Sequence, residues 1–319
     1  MDKPPSSTPR NPAPTANVMG RRSFLRTSAV LTTGLAALAA SLKPLLEMND
    51  FPTMERFLQK YYKEMTPQDM AKVLKRIEDE VEQQYGLRPQ VRDLKPMDGV
   101  QFVYCLNLTR CIGCRKCVHA CVAENNQSRE PEIQYIRVLR LPDGSLDIDK
   151  ADHFYAPDSV PEKGYFYMPV QCQQCKYPPC VKVCPVHATW QEPDGITVID
   201  YDWCIGCRYC EAACPYWARR FNFTKPSTLP KERLNLDMSY LGNRPRRQGV
   251  MEKCHFCLQR TRAGRYPACL EVCPAGARKF GNILDPASEV SYILRSKRVF
   301  IQLKEEMGTA PRFFYYFDV

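Results

Sequence analysis

At 319 residues the chain is long enough for two ordinary domains, and its 44% apolar content with more Pro (27) than Gly (15) fits a loop-rich globular protein. Seventeen cysteines clustered in a chain of this length do not fit the disulfide framework of a small secreted domain. The net charge of +10 suits docking to acidic partners or a lipid surface. Nucleic acid is not indicated: the basic stretch RPRRQ at 244–248 has no interleaved aromatics, and it is expected to cover a bound group or meet a partner.

Residues 1–20 are rich in Pro, Ser and Thr and are expected to be disordered. Residues 21–26 read RRSFLR and precede the apolar run TSAVLTTGLAALAASL at 27–42. Paired arginines before a short apolar segment ending in small residues form a twin-arginine export signal, and Ala37-Leu38-Ala39 offers a cleavage site. An uncleaved anchor is the alternative, but the run falls short of the roughly twenty residues that a membrane span needs. Residues 1–39 hold five basic residues and one acidic residue, so four of the ten net charges leave with them and +6 remains.

A disordered leader with its signal thus occupies 1–42, and a helical arm is expected over 43–99. Thr66-Pro67-Gln68-Asp69 is a helix start, with a capping hydroxyl, proline in the first turn and an acid behind it. Met70, Val73, Leu74, Ile77 and Val81 then share one face, and Gly86 can close the helix. The arm is expected to pack on the body or on a partner.

Sixteen of the cysteines fall into four quartets. CIGCRKCVHAC carries Cys111, Cys114, Cys117 and Cys121; CQQCKYPPCVKVCP carries Cys172, Cys175, Cys180 and Cys184. CIGCRYCEAACP carries Cys204, Cys207, Cys210 and Cys214; CHFCLQRTRAGRYPACLEVCP carries Cys254, Cys257, Cys269 and Cys273. A cubane needs four thiolates, and in a C-x2-C-x2-C-x3-C-P run the first three wrap one cluster while the fourth reaches the other cluster of a pair. Gly113 and Gly206, between the first two ligands, are expected to let the backbone approach inorganic sulfide. Pro185, Pro215 and Pro274 suit a first helical turn. Zinc knuckles stand well apart, so this crowding favours four [4Fe–4S] clusters over zinc. A row of clusters conducts electrons.

Cys105, ahead of the first quartet, reads as a small buried residue on a strand, with a spare ligand or redox thiol as the other reading. Between the first two quartets lies an insertion, 126–168. Its segment IQYIRVLRLPDGSLDID alternates like a hairpin turning at Pro142-Asp143-Gly144. His153 within it reads as a surface residue. ATWQEPDGITVIDYDW predicts two short strands around Asp194-Gly195. Residues 171–221 then form one dicluster unit, with the second and third quartets. Residues 100–170 and 222–285 form the other, with the first and fourth quartets closed through space. Residues 222–250 read as a polar linking loop. Four aromatics in RFFYYFDV mark 286–319 as a tail docked on a partner, with burial on its own body as the alternative.

The motifs CIGCRKC, CxxCxxPPCVxVCP, CIGCRYCxxACPY and KCxFCxxRxxxGxxPAC…CP resemble, over roughly 100–319, one family. It is the four-cluster ferredoxin-like iron–sulfur electron-transfer subunits of membrane-bound oxidoreductases, including dimethyl-sulfoxide, tetrathionate, polysulfide and formate-dependent nitrite reductase systems. The resemblance implies an α+β fold: two bacterial-ferredoxin-like [4Fe–4S] dicluster units, loop-rich, to which this chain adds an N-terminal helical arm. It implies swapped ligand sets: Cys111, Cys114, Cys117 with Cys273; Cys254, Cys257, Cys269 with Cys121; Cys204, Cys207, Cys210 with Cys184; and Cys172, Cys175, Cys180 with Cys214. It places the Cys111 cluster at the catalytic end and the Cys172 cluster at the membrane end.

The sequence has no catalytic triad, P-loop or dinucleotide fingerprint, so the chain is read as a relay and not as an enzyme. The implied partners are an integral-membrane quinone-reactive subunit and a molybdopterin catalytic subunit, with a multihaem cytochrome or a free polyferredoxin as alternatives. The protein would sit on the periplasmic face, attached to the membrane through its partners. Arg208, Lys116 and Lys253, beside ligands, are candidates for raising cluster potentials.

Overall fold

The computed structural model describes residues 65–227, 230–296 and 300–318. The leader, the signal and the first part of the arm (43–64) lie outside them.

The arm contains helix α1 (Pro67–Tyr85). Thr66 caps it, accepting from the Asp69 N–H at 3.2 Å, and the Asp69 carboxylate accepts from Thr66 in return. Gly86 ends it in the left-handed conformation at φ 71° and donates its N–H to the Glu82 carbonyl. Ile77, Val81 and Tyr85 are buried, with Met70, Val73 and Leu74 packed beside them, so the apolar stripe faces the protein's own body. Strand β1 (Gln90–Arg92) fastens the end of the arm by running parallel to the later segment Asp237–Ser239.

At the centre lies a sheet built around β2 (Phe102–Asn107), all six residues of which are buried. Helix α2 (Lys116–Glu124) carries two cysteines of the first quartet. The insertion supplies β3 (Arg137–Pro142) and β4 (Tyr165–Val170), paired antiparallel with Pro142 opposite Tyr165. The predicted hairpin was too short. Gly144 does turn the chain at φ 80°, but the segment behind it forms a single 3-10 turn at Ile148–Lys150. The physical reason is burial. Ser145-Leu146-Asp147 offers the core little and leaves Leu146 exposed, whereas Tyr167, Met168 and Val170 of β4 are buried against β3.

The second and third quartets follow the ferredoxin plan. Helix α3 (Pro179–Lys182) leads to the hairpin β5 (Thr189–Gln191) and β6 (Thr197–Ile199), turning at Asp194-Gly195 as the sequence indicates. Helix α4 (Tyr209–Ala212) leads to β7 (Arg219–Phe221). The link behind it holds β8 (Asp237–Ser239), the partner of β1, and folds inward over 238–244. Arg244 and Arg246 of RPRRQ are buried. Arg246 donates to the carbonyls of Asn125 and Gly242 and pairs with Glu252, so these two arginines clamp the interior, whereas Arg247 and Gln248 are exposed.

Strand β9 (Met251–Lys253) pairs with β7 and opens the fourth quartet, which contains α5 (Leu258–Thr261) and α6 (Ala268–Glu271). Strand β10 (Arg278–Asn282) then returns to β2, antiparallel, and so closes the first and fourth quartets into one unit. Helix α7 (Glu289–Ser296) covers Val103 and Cys105 with Val290 and Ile293. Finally β11 (Phe300–Ile301) and β12 (Phe313–Tyr316) extend the sheet in the order β10-β2-β12-β11. The aromatic tail expected on a partner is therefore part of the protein's own core: β12 runs parallel to β2, and Phe313 and Tyr315 are fully buried. The free edge of β2 accounts for this, because its backbone groups need partners.

Candidate metal centres

The quartets fold locally as tight loops followed by single helical turns, and each trailing cysteine lands across from the other quartet of its unit. Cys111, Cys114, Cys117 and Cys273 line one cavity. Cys172, Cys175, Cys180 and Cys214 line a second. Cys184, Cys204, Cys207 and Cys210 line a third. Cys121 faces Cys257, Cys254 and Cys269 in a fourth group, and all four thiols there are buried. Among the described residues no three Cys, His, Asp or Glu side chains converge as a single ion requires. In three groups four sulfurs instead surround a cavity, and in the fourth four sulfurs face one another, as the corners of a repeated cluster would.

Burial pushes the thiols of Cys111, Cys175 and Cys254 up to about 12, and that of Cys210 to about 11. Loading a cationic metal therefore has to displace protons from the folded chain, which couples metal binding to pH. Buried donors already point at the sulfurs. Gln127 Nε2 donates to Cys121 Sγ at 3.2 Å, and Asn125 Nδ2 donates to Cys121 and Cys257 Sγ at 3.5 and 3.6 Å. The Tyr104 hydroxyl and Cys269 Sγ share a hydrogen bond at 3.3 Å. Other N–H groups are buried without a protein acceptor, namely Nε and Nη1 of Arg219 and Nε2 of His255, which sits between Cys254 and Cys257. Inorganic sulfide would supply such acceptors, so the residues fit the cluster.

The four groups form a row. Cys117 faces Cys269, which joins the Cys111 group to the Cys254 group. Cys254 faces Cys172, which joins the Cys254 group to the Cys172 group. Cys210 faces Cys180, which joins the last two. The Cys172 group is therefore interior. The end opposite Cys111 belongs to the Cys204 group, where Cys207 is exposed, and this corrects the order that the resemblance implied.

Gly113 and Gly206 have φ of 73° and 71°. A Cβ would strike the Tyr167 ring at the first and the Gly249 carbonyl at the second, so protein contacts as well as conformation require these glycines. Cys105 is buried on β2 and is joined to none of the four groups, and His153 is exposed. Of the three candidate tuning cations, Lys116 is exposed, and Arg208 is exposed with its guanidinium over Phe221 and Phe223. Lys253 is buried and donates to the Cys254 carbonyl at 2.7 Å. Sequence reasoning missed the cations closest to sulfur. Arg219 Nη2 donates to Cys180 Sγ at 3.0 Å, and Arg278 Nη2 donates to Cys117 Sγ at 3.4 Å. Both stand five residues after a trailing cysteine, in CPYWAR and CPAGAR, a repeat visible in the chain.

Two family models described as 4Fe-4S dicluster domains match the chain, one over 163–245 and 240–283, the other over 110–188. A putative iron-sulfur subunit of dimethyl sulfoxide reductase from Halobacterium salinarum is 44% identical over 207 residues, covering 65% of this chain and 75% of the relative. A selenate reductase subunit of Mesobacillus selenatarsenatis is 32% identical over 312 residues, 94% of this chain and 98% of its own. The menaquinone reductase iron-sulfur cluster-binding subunit of Nitratidesulfovibrio vulgaris is 37% identical over 239 residues, 66% and 86%. With paired ferredoxin-like units and sixteen cysteines gathered in four groups, the chain belongs to the family of [4Fe–4S] electron-transfer subunits of multi-subunit oxidoreductase complexes.

Proposed function

We propose that this subunit relays electrons through four [4Fe–4S] clusters between a membrane quinone-reactive subunit and a molybdopterin catalytic subunit. The sixteen cysteines ligate in the four groups described above. The first of these lies toward the catalytic partner and the Cys204 group toward the membrane. The observation that carries this reading is the single row of cysteine groups, wholly buried at the Cys254 group and reaching the surface at Cys207.

When bound, each cluster accepts and releases one electron with little rearrangement of the protein around it. The chain does the rest. Buried cysteines hold the clusters at fixed places, the apolar core excludes water, and Asn125, Gln127 and Tyr104 hold the sulfurs of the sealed Cys254 group. RRSFLR supports export by the twin-arginine route to the periplasmic face of the membrane. Attachment there would run through partners; among the described residues no helix is long and apolar enough to cross a membrane.

The selenate reductase relative, similar over 94% of this chain, favours a catalytic partner that reduces a small substrate. A second reading is a molybdenum-free relay to a multihaem cytochrome; the menaquinone reductase relative supports the quinone link that both readings share. The test is the metal content of the complex captured anaerobically from native membranes through this chain. Molybdenum or tungsten near one per chain is expected. Haem without either metal would establish the second reading, and a monodisperse soluble monomer with no partner would sink both.

A further inference from the structure

The motif C-P-x-x-A-R occurs twice, ending at Arg219 and Arg278. Its spacing carries the chain from the trailing cysteine through one turn to the first residue of the next strand, β7 or β10. Both arginines are buried, at 1% and 3% exposure. CPVHAT places Thr189 at the same position, opening β5. In the second unit the two equivalent positions meet. Arg219 Nη2 donates to Thr189 Oγ1 at 3.0 Å as well as to Cys180 Sγ.

A contact between equivalent positions of two halves lies on the seam between them. Arg219 accordingly lines both the cavity of Cys172, Cys175, Cys180 and Cys214 and that of Cys184, Cys204, Cys207 and Cys210. Arg278 repeats the arrangement in the first unit. Its Nη2 donates to Cys117 Sγ. Its Nη1 donates to Gln171 Oε1 at 3.1 Å and to the Tyr104 hydroxyl at 3.4 Å, which is bonded to Cys269 of the neighbouring group. Among the described residues Arg219 pairs with no carboxylate; it donates to Cys180 Sγ and Thr189 Oγ1, and its Nε and Nη1 have no protein acceptor. A structural salt bridge would leave neither of those features.

Resting on the ligand reading given above, we propose that Arg219 and Arg278 are positioning charges, each shared by the two clusters of one unit, that raise both potentials together. Adding an electron to a cluster adds a negative charge, and a buried guanidinium beside it lowers the free energy of that state. A charge on the seam acts on both neighbours, whereas an exposed cation such as Arg208 is screened by water. Each arginine thus raises the level of its whole unit and leaves the step between the unit's two clusters little changed.

The test is an EPR-monitored redox titration of the intact complex carrying Arg219→Gln, Arg219→Lys, Arg278→Gln or Arg278→Lys, with iron and sulfide counted per chain. Arg219→Gln is expected to retain its iron and to lower two of the four potentials, leaving the other two in place. Arg278→Gln is expected to lower the complementary two, and each lysine variant to restore most of the shift. Four unchanged potentials at full iron content would overturn the proposal, as would a shift confined to one cluster. Loss of a cluster pair in the glutamine and lysine variants alike would overturn it in favour of a structural role. Wild-type complex without iron and sulfide would instead overturn the ligand reading beneath it.

Discussion

The guanidinium of Arg262 lies 2.8 Å from the carboxylate of Asp194, and both side chains are shut off from water, at 1% and 0% exposure. Asp194 sits at the β5–β6 turn of the second unit, and Arg262 follows α5 in the first. Arg262 also pairs with Glu192 and donates to the Leu94 carbonyl, so one side chain fastens the hairpin, the arm connection and the fourth quartet together. Removing one partner of such a group leaves buried charges uncompensated. Arg262→Ala should lower unfolding stability by about 3–5 kcal/mol, read by denaturant unfolding of the loaded protein. A change below about 1 kcal/mol, the scale of a surface pair, would show that water reaches the site.

Cys214 lies in the third quartet's sequence but in the Cys172 group's cavity. Cys214→Ser should therefore alter the EPR signal of the cluster held by Cys172, Cys175 and Cys180. If the signal assigned to Cys204, Cys207 and Cys210 changes instead, the swapped ligand sets are wrong.

Tyr315 is fully buried on β12 and bonds through its hydroxyl to the Pro169 carbonyl at 3.1 Å. Tyr315→Ala should cost about 3–5 kcal/mol, as large core truncations do. Thermal unfolding of the chain separated from its partners would measure it. A melting temperature equal to wild type under those conditions would return the tail to a partner interface.

Burial, with a smaller contribution from Glu289, raises the Cys105 thiol from an ordinary value of 9 to about 12. The folded chain thus favours the neutral thiol. Its contribution to stability is complete below pH 9 and is lost as pH climbs from 9 toward 12. Iodoacetamide at about pH 8, below the ordinary thiol range, should leave Cys105 unlabelled in the native protein and label it fully after denaturation, by mass spectrometry. Native labelling at the denatured rate would make it an accessible redox thiol.

What the sequence disclosed was local. Thr66 and Gly86 bracket α1 because caps act within one turn, and Asp194-Gly195 marks a hairpin whose arms are neighbours in the chain. The return of β10 to β2, the pairing of β3 with β4 across the insertion, and the entry of β12 into the core join distant segments, and no short pattern encodes them. At the site, cysteine spacing marked all four quartets, but adjacency misdirected the search for nearby charge. Arg208 directly follows Cys207, yet at φ 63° its backbone turns left-handed and its side chain lies outside, over aromatic rings. Arg219, five residues beyond its cysteine, begins a strand that runs back beneath the sulfurs. The repeat CPxxAR was legible, but the direction of its side chains was not.

The pairing of β2 with β10 and β12 also sets a calendar for synthesis. All eight cysteines of the second unit leave the ribosome within 172–214, although its strand β7 finds its partner only at Met251–Lys253. The first unit has to wait. Its opening strand emerges early, but its antiparallel neighbour is finished only at Asn282 and its parallel neighbour only at Tyr316. A message truncated before Phe313 therefore leaves β2 bare along one edge, with Asn282 as the end of its only strand partner.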